Sequence, residues 1–328
     1  MLSVSFIIKR ALVQSVPLLL GSTGEIMTEK SGHLNLGTAG TMYVGAICGV
    51  IGAFFYENSL PADAELNPFI AVLVPLLCCI VGSLIMGLIY CFLTVTLRAN
   101  QNVTGLALTT FGTGIGNFFG GSLVKLVGSD VASVNFSRTS TIYKAYLPIA
   151  DDLGWFGEIF LSHGFLMYLS IVIALICSFV LNRTSVGLNL RAVGENPATA
   201  DAAGINVNRY KYLSTCLGSI IAGLGGLYYV MEIGNWSNDG FGDRGWLAIA
   251  LVIFAVWRPN LSILGSVLFG GLCIAHLYIP NISSSVRELV KMLPYVVTIA
   301  VLIVTSLRKK RETQPPAHLG LAYFREER

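Results

Sequence analysis

Charge is scarce in this sequence. Only 12% of its 328 residues are Asp, Glu, Lys or Arg, about half the share of an ordinary soluble domain, and no polar block is long enough to build one. The expected organisation is therefore a single membrane unit over residues 1–328. Metal-binding and cross-linking chemistry are also missing. There are 4 histidines, and the seven cysteines (Cys48, Cys78, Cys79, Cys91, Cys177, Cys216 and Cys273) fall inside or at the ends of apolar runs. An odd count without ligand spacing excludes a disulfide frame and a zinc site and assigns these thiols to core filling. No G-x-x-x-x-G-K-[ST], G-x-S-x-G or H-E-x-x-H is present, so no enzyme is expected and the chain cannot hydrolyse ATP by itself. A cleavable leader pattern is absent where Lys9 and Arg10 precede the first apolar run, and that segment is expected to be retained.

What the chain has in quantity is apolar surface and glycine: 54% hydrophobic residues, 35 Gly and a mean hydropathy of +0.70. A hydrocarbon core of about 30 Å needs roughly 20 apolar residues as helix. The candidates are Ala11–Met27, Leu34–Phe55, Phe69–Leu97, Val103–Gly121, Phe165–Leu181, Tyr212–Met231, Trp246–Trp257, Leu261–Ile279 and Leu289–Leu307. Trp246–Trp257 is short and reads as a tilted or half-length helix. The fold class is an all-α polytopic transmembrane bundle of about eight to ten spans, some broken or re-entrant, with glycines serving close helix packing.

Basic residues set the orientation. The tail, 308–328, begins with Arg308, Lys309, Lys310 and Arg311 and is expected in the cytosol, loosely ordered, with Arg258, Arg98 and the 183–210 loop on the same side. The acidic loop Glu57–Pro68 then lies outside. Counting every segment as a full crossing puts Lys9 and Arg10 outside too, against the rule. The economical repairs are a re-entrant Ala11–Met27 or another segment that is broken or does not fully cross.

Three polar stretches interrupt the apolar pattern. In Arg183–Ile205, Asn196 followed by Pro197 is a strong helix start; alanines then propagate the helix, and Gly204 can end it. A helix of roughly two turns is marginal by itself, so a neighbour must hold it; it is either an ordinary capped connection or a surface that another protein approaches. Around Glu25, Glu29 and Lys30, membrane-depth charge leads into Asn35, Gly37 and Gly40, either a gate or a solvated turn. Asn100, Gln101, Asn102 and Thr104 open a glycine-dotted segment that reaches Asn117; the amides suit pore lining or gating, the glycines helix packing. Phe118, Phe119, Trp236 and Phe241 fit interfacial anchors or a stacking surface for an aromatic base. In Gly234–Gly245, Asp239, Asp243 and Arg244 fit either contacts to a binding protein or a local ion pair. The Ser122–Ser162 loop, with Val131, Val134, Phe136, Tyr143, Tyr146, Leu147 and Trp155, reads as short interfacial helices.

GLNLRAVGENPATADAAGI (Gly187–Ile205) resembles the coupling loop of permease subunits of bacterial ABC importers, in the branch that handles simple sugars, nucleosides and branched-chain amino acids. EKSGHLNLGTAGTMYVGA (Glu29–Ala46) and NQNVTGLALTTFGTG (Asn100–Gly114) resemble signatures of its nucleoside-type subgroup, and with GDRGWLAIALVIFAVWRPN (Gly242–Asn260) the likeness spans most of the chain. One departure is Ala39, where the subgroup usually has Glu. The resemblance implies an inner-membrane, multi-pass subunit with a cytosolic C-terminus. Its implied partners are a homologous second permease, an ATPase with two fused nucleotide-binding halves, and an extracytoplasmic substrate-binding lipoprotein. ATP and Mg would sit in the ATPase, with no cofactor or metal in this chain and no nucleic acid partner. Arg191, Gly194, Glu195, Asn196, Pro197, Asp201 and Gly204 are the implied coupling residues; Asn35, Gly37, Gly40, Asn100, Gln101, Asn102, Thr104 and Asn117 are candidates for the translocation path. The implied cargo is a nucleoside, with riboflavin or a simple sugar as alternatives. An ion-coupled secondary transporter, using Glu25 or Glu232, is the rival from another class.

Overall fold

Inside a bilayer an apolar chain satisfies its backbone by coiling into helices, and the computed structural model of this protein is helical almost throughout. It describes residues 4–61, 64–127, 133–146, 148–150, 152–238, 240–279, 283–308 and 314–324. The chain opens with α1 (Val4–Glu29), α2 (Thr38–Asn58), α3 (Pro68–Cys91), which runs on into a π-helical turn over Phe92–Thr96, and α4 (Gln101–Val127). Two short helices, α5 (Ser137–Tyr143) and α6 (Gly154–Phe160), precede α7 (Phe165–Arg183). A helical hairpin follows, α8 (Ser185–Glu195) and α9 (Pro197–Ala202), and then α10 (Val207–Ile233). The last helices are α11 (Arg244–Phe254), α12 (Pro259–Tyr278), α13 (Ser284–Lys291) and α14 (Leu293–Arg308). By length and composition α2, α3 with its π turn, α7, α10 and α12 can each cross a membrane. The fold is the all-α polytopic bundle expected from composition.

Glycine brings the central helices together. A Cβ on Gly24 of α1 would stand 2.3 Å from the Gly218 carbonyl of α10, and one on Gly218 would stand 2.4 Å from that of Gly24. On α2, Gly45 faces Gly223 of α10 in the same way, at 2.6 Å. Such backbone-to-backbone approach is how helices associate where no hydrophobic force separates them from lipid. Between the contacts lies the core: Leu20, Met42, Ile47, Leu227 and Met231 are each at most 1% exposed. All seven cysteines are free thiols, buried or half-buried.

The bundle has two distinct ends. At one, the segment 314–324 lies against the α8–α9 hairpin, the turn after α1 and the start of α4. At the other, β1 (Ser133–Asn135) pairs antiparallel with β2 (Asn235–Ser237), Ser133 opposite Ser237, and Thr139 N donates to Glu57 Oε1 at 2.6 Å. α1 joins the two ends as one continuous helix with Pro17 inside it, which corrects the re-entrant path considered for Ala11–Met27. Its basic start, Lys9 and Arg10, lines a cavity of about 600 Å³ together with Lys144, Glu158 and Glu232.

Other boundaries also move. The Trp246–Trp257 segment is helical only to Phe254, because Val256 and Trp257 take left-handed backbone angles, φ +52° and +53°, and end it. The Leu289–Leu307 segment breaks at Met292 into α13 and α14, the second starting beside Pro294, whose missing N–H suits a first turn. Of the Ser122–Ser162 loop, Val134, Phe136 and Tyr143 are core residues, whereas Tyr146 and Trp155 are exposed. Val131, Leu147, Asp239 and Lys309, Lys310 and Arg311 lie outside the described residues.

Candidate functional site

The α8–α9 hairpin is built by its caps. Thr184 accepts from Gly187 N at 3.2 Å to start α8, and Asn196 Oδ1 accepts from Thr199 N at 3.0 Å to start α9, with Pro197 at its first position. Gly204, at φ +83°, ends the turn that follows. Val193, Ala200 and Val207 form a small core beneath the hairpin, so that Thr199, Ala202, Ala203 and Gly204 are left exposed along one side of α9. Held in this way, six residues remain helical that would be marginal alone.

The hairpin rests directly on the end of α1. A Cβ on Gly194 would lie 2.3 Å from the Lys30 carbonyl, so only glycine permits this approach. Arg191 and Glu195 share a cavity of about 220 Å³ with Lys30, Trp257, Arg258 and Gln314. Among the described residues Arg191 Nε has no hydrogen-bond partner, and burial lowers the Lys30 ammonium from its usual pKa, with Glu195 opposing and Arg191 adding to the shift. Asp201 Oδ2 accepts from Tyr323 OH at 2.9 Å.

Beyond that contact, α1 ends in two buried carboxylates. Glu29, 3% exposed, accepts from the indole N–H of Trp257. Glu25, 1% exposed, accepts from Asn35 N at 3.1 Å and from the Thr38 hydroxyl. Glu29 is therefore not the solvated side chain of a plain turn. Two successive left-handed residues, one β-branched and one aromatic, cost on the order of 1–3 kcal/mol each, and that strain places Trp257 on Glu29. Replacing Trp257 with Phe leaves the carboxylate without its donor and is expected to destabilise the fold by about 1–3 kcal/mol, read as a lower melting temperature in detergent. Unchanged melting would show the contact to be idle.

The candidate path residues fall into separate places. Asn35 is buried, its Oδ1 accepting from Gly37 N at 2.9 Å. Gly37 and Gly40 pack on α4, where a Cβ on Gly40 would meet the Leu108 carbonyl at 2.5 Å. Asn100 is exposed and accepts from Val103 N at 3.1 Å, and Asn102 is exposed. Gln101 accepts from Leu34 N at 2.8 Å and donates to the Leu321 carbonyl at 3.1 Å. Thr104 lines a shallow apolar groove with Ile89, Leu93 and Phe111. Asn117 stands farther along α4 and accepts from Tyr43 OH at 2.5 Å. Of the aromatic candidates, Trp236 and Phe241 are buried against Tyr43, while Phe118 and Phe119 are exposed. Arg244 turns inward, over the Tyr229 ring at 3.9 Å and onto the Phe241 carbonyl.

A family model described as the permease component of a branched-chain amino acid transport system matches residues 7–302. The chain belongs to this permease family. The permease is 31% identical over 305 residues to the nucleoside ABC transporter permease protein NupC of Lactococcus lactis, covering 92% of each chain. It is 31% identical to the guanosine ABC transporter permease protein NupQ of Bacillus subtilis, covering 91% of each. To a putative glucose ABC transporter permease protein of Haloferax volcanii the identity is 30%, over 94% of each. A second nucleoside permease from the Lactococcus strain, NupB, is 24% identical over 218 residues. The permease is thus a multi-pass membrane subunit of an ABC importer, a transport component and not an enzyme.

Tyr323, Trp257 and Thr38 were not legible as parts of this site. The one local signal was Glu25 and Glu29 at the end of an apolar run, where carboxylates are costly unless paired.

Proposed function

We propose that this permease, paired with a second homologous permease, forms the path for a nucleoside-class solute, driven by a separate ATPase that presses on α9. The similarity to nucleoside and guanosine permeases over more than nine-tenths of the chain supports the cargo. The observation that carries the mechanism is Gly194 seated on the Lys30 carbonyl, which leaves no slack between the hairpin and α1. A push on α9 would reach α1 through that contact, and α2 and α11 through Glu25–Thr38 and Glu29–Trp257. In this reading Arg191, Gly194, Glu195, Asn196, Pro197, Asp201 and Gly204 carry coupling, ATP and Mg belong to the ATPase with its two fused halves, and a lipoprotein delivers solute at the β1–β2 end. One organism supplies two relatives of unequal similarity, which favours a heterodimer with this chain in the NupC-like place. A sugar cargo is the second reading, favoured by the Haloferax relative.

Uptake of labelled guanosine by proteoliposomes holding the whole complex tests the cargo; uptake of labelled glucose with none of guanosine would favour the sugar reading. Orientation is tested by labelling with a membrane-impermeant maleimide. Asn208→Cys is expected to react from the cytosol and Asn238→Cys from outside, both being exposed. The opposite pattern would reverse the topology and remove α9 from the reach of a cytosolic motor.

A further inference from the structure

The family match ends at residue 302, yet the chain folds again beyond it. Residues 314–324, expected to be loose, are laid across the hairpin and tied at successive points. Ala317 N donates to Glu195 Oε2 at 3.4 Å. His318 N donates to the Gly194 carbonyl at 3.0 Å, and Gly320 N to the Gly32 carbonyl at 3.3 Å. The Leu321 carbonyl accepts from Gln101 Nε2 at 3.1 Å, and Tyr323 packs on the Val193, Ala200 and Val207 core while its hydroxyl donates to Asp201. The Phe324 ring lies under the Arg98 guanidinium at 4.9 Å. One short segment therefore joins α8, α9, the turn between α1 and α2, and the start of α4.

Its two ends open onto the clefts that flank the hairpin. Gln314 lines the cavity of about 220 Å³ with Arg191, Glu195 and Arg258. Tyr323 lines one of about 420 Å³ with Arg98, Asp201, Asn206 and Asn208. Tail residues thus reach a cleft on either side of the hairpin, and Leu321 is itself 55% exposed. The segment crosses from α9 to the turn between α1 and α2 and to the start of α4.

We propose that the tail 314–324 is a working part of the coupling socket: it forms one wall of the surface that receives the ATPase, and Tyr323 acts as a positioning residue that fixes α9 through Asp201. Force on α9 then has two routes, directly through Gly194 to the end of α1, and through the tail to the α1–α2 turn and the start of α4. The proposal rests on the coupling role given to α9 above.

The test uses the complete complex in proteoliposomes, with solute uptake per ATP hydrolysed as the readout. Removing residues 314–328 is expected to lower that ratio tenfold or more, and Tyr323→Phe, which loses one hydroxyl donor, about three- to tenfold. Asp201→Ala should be at least as severe as Tyr323→Phe, and adding Tyr323→Phe to it should lower the ratio no further, because the hydroxyl acts through that carboxylate. A tail that only stabilises the fold would lower the yield or melting temperature of the complex and leave the ratio unchanged; that result overturns the proposal. So does full additivity of the two point variants. If the truncated chain does not assemble, the point variants decide. Should the tail variants be silent while changes at Asn196 and Pro197 abolish uptake, the strap fails and the α9 reading stands; silence in both removes both.

Discussion

Uptake is expected to fall at least tenfold when Asn196→Ala and Pro197→Gly are combined, while the protein still inserts and ATP turnover by the assembled complex continues. The reason is local. Asn196 Oδ1 satisfies Thr199 N, and losing such a cap costs about 0.5–2 kcal/mol. Glycine in place of a preset proline adds roughly 1 kcal/mol through backbone freedom. A total of about 2 kcal/mol is roughly a thirtyfold shift away from the formed helix, and α9 has only six residues over which to recover it. Ala200 still holds the inner side of that helix, so the insertion and packing of α1, α2 and α10 should be spared. Uptake within twofold of the unaltered complex would remove α9 from the coupling route.

The largest structural effect is expected at the crossing of α1 and α10. Gly24→Val and Gly218→Val each place atoms where the opposing helix has backbone: a Cβ on Gly24 lies 2.3 Å from the Gly218 carbonyl, and one on Gly218 lies 2.4 Å from both the Gly24 carbonyl and Thr28 Oγ1. Backbone cannot swing aside as a side chain can, so the helices must separate. Overpacking typically costs about 1–3 kcal/mol, and a clash with backbone lies at the upper end or beyond, so the variants should be lost from the membrane or melt several degrees lower in detergent. Gly114→Val is the control, since nothing stands within 4 Å of its Cβ. Equal melting of all three would mean that α1 and α10 do not meet here. The consequence for transport follows from the same contact: Gly24 stands one residue before Glu25, so a shift of α1 against α10 displaces the carboxylate that holds Asn35 and Thr38.

The contact between α1 and α10 also explains why a carboxylate pair is tolerated at the end of an apolar helix. Leaving Glu25 and Glu29 in an apolar surrounding without donors would be costly. The structure brings the donors from three different elements: Asn35 from the turn, Thr38 from α2 and Trp257 from the strained end of α11. Those elements converge on one point at the end of α1.

Much of this was open to reading from residue order. Low charge and long apolar runs determine a membrane bundle, since nothing else buries such a composition. Asn196, Pro197 and Gly204 determine a short capped helix, because capping and left-handed turns are settled within four or five residues. Tertiary structure decided whatever depended on partners far along the chain. Trp257 lies 228 residues from Glu29, and Tyr323 lies 122 residues from Asp201. No periodicity or motif encodes such pairs, because they exist only once helices of fixed length have packed to bring their ends level. The tail is the clearest instance. Its Pro-Pro break and mixed polarity look like disorder in isolation, yet its backbone donors find Gly194 and Gly32, carbonyls left unpaired where two helices stop.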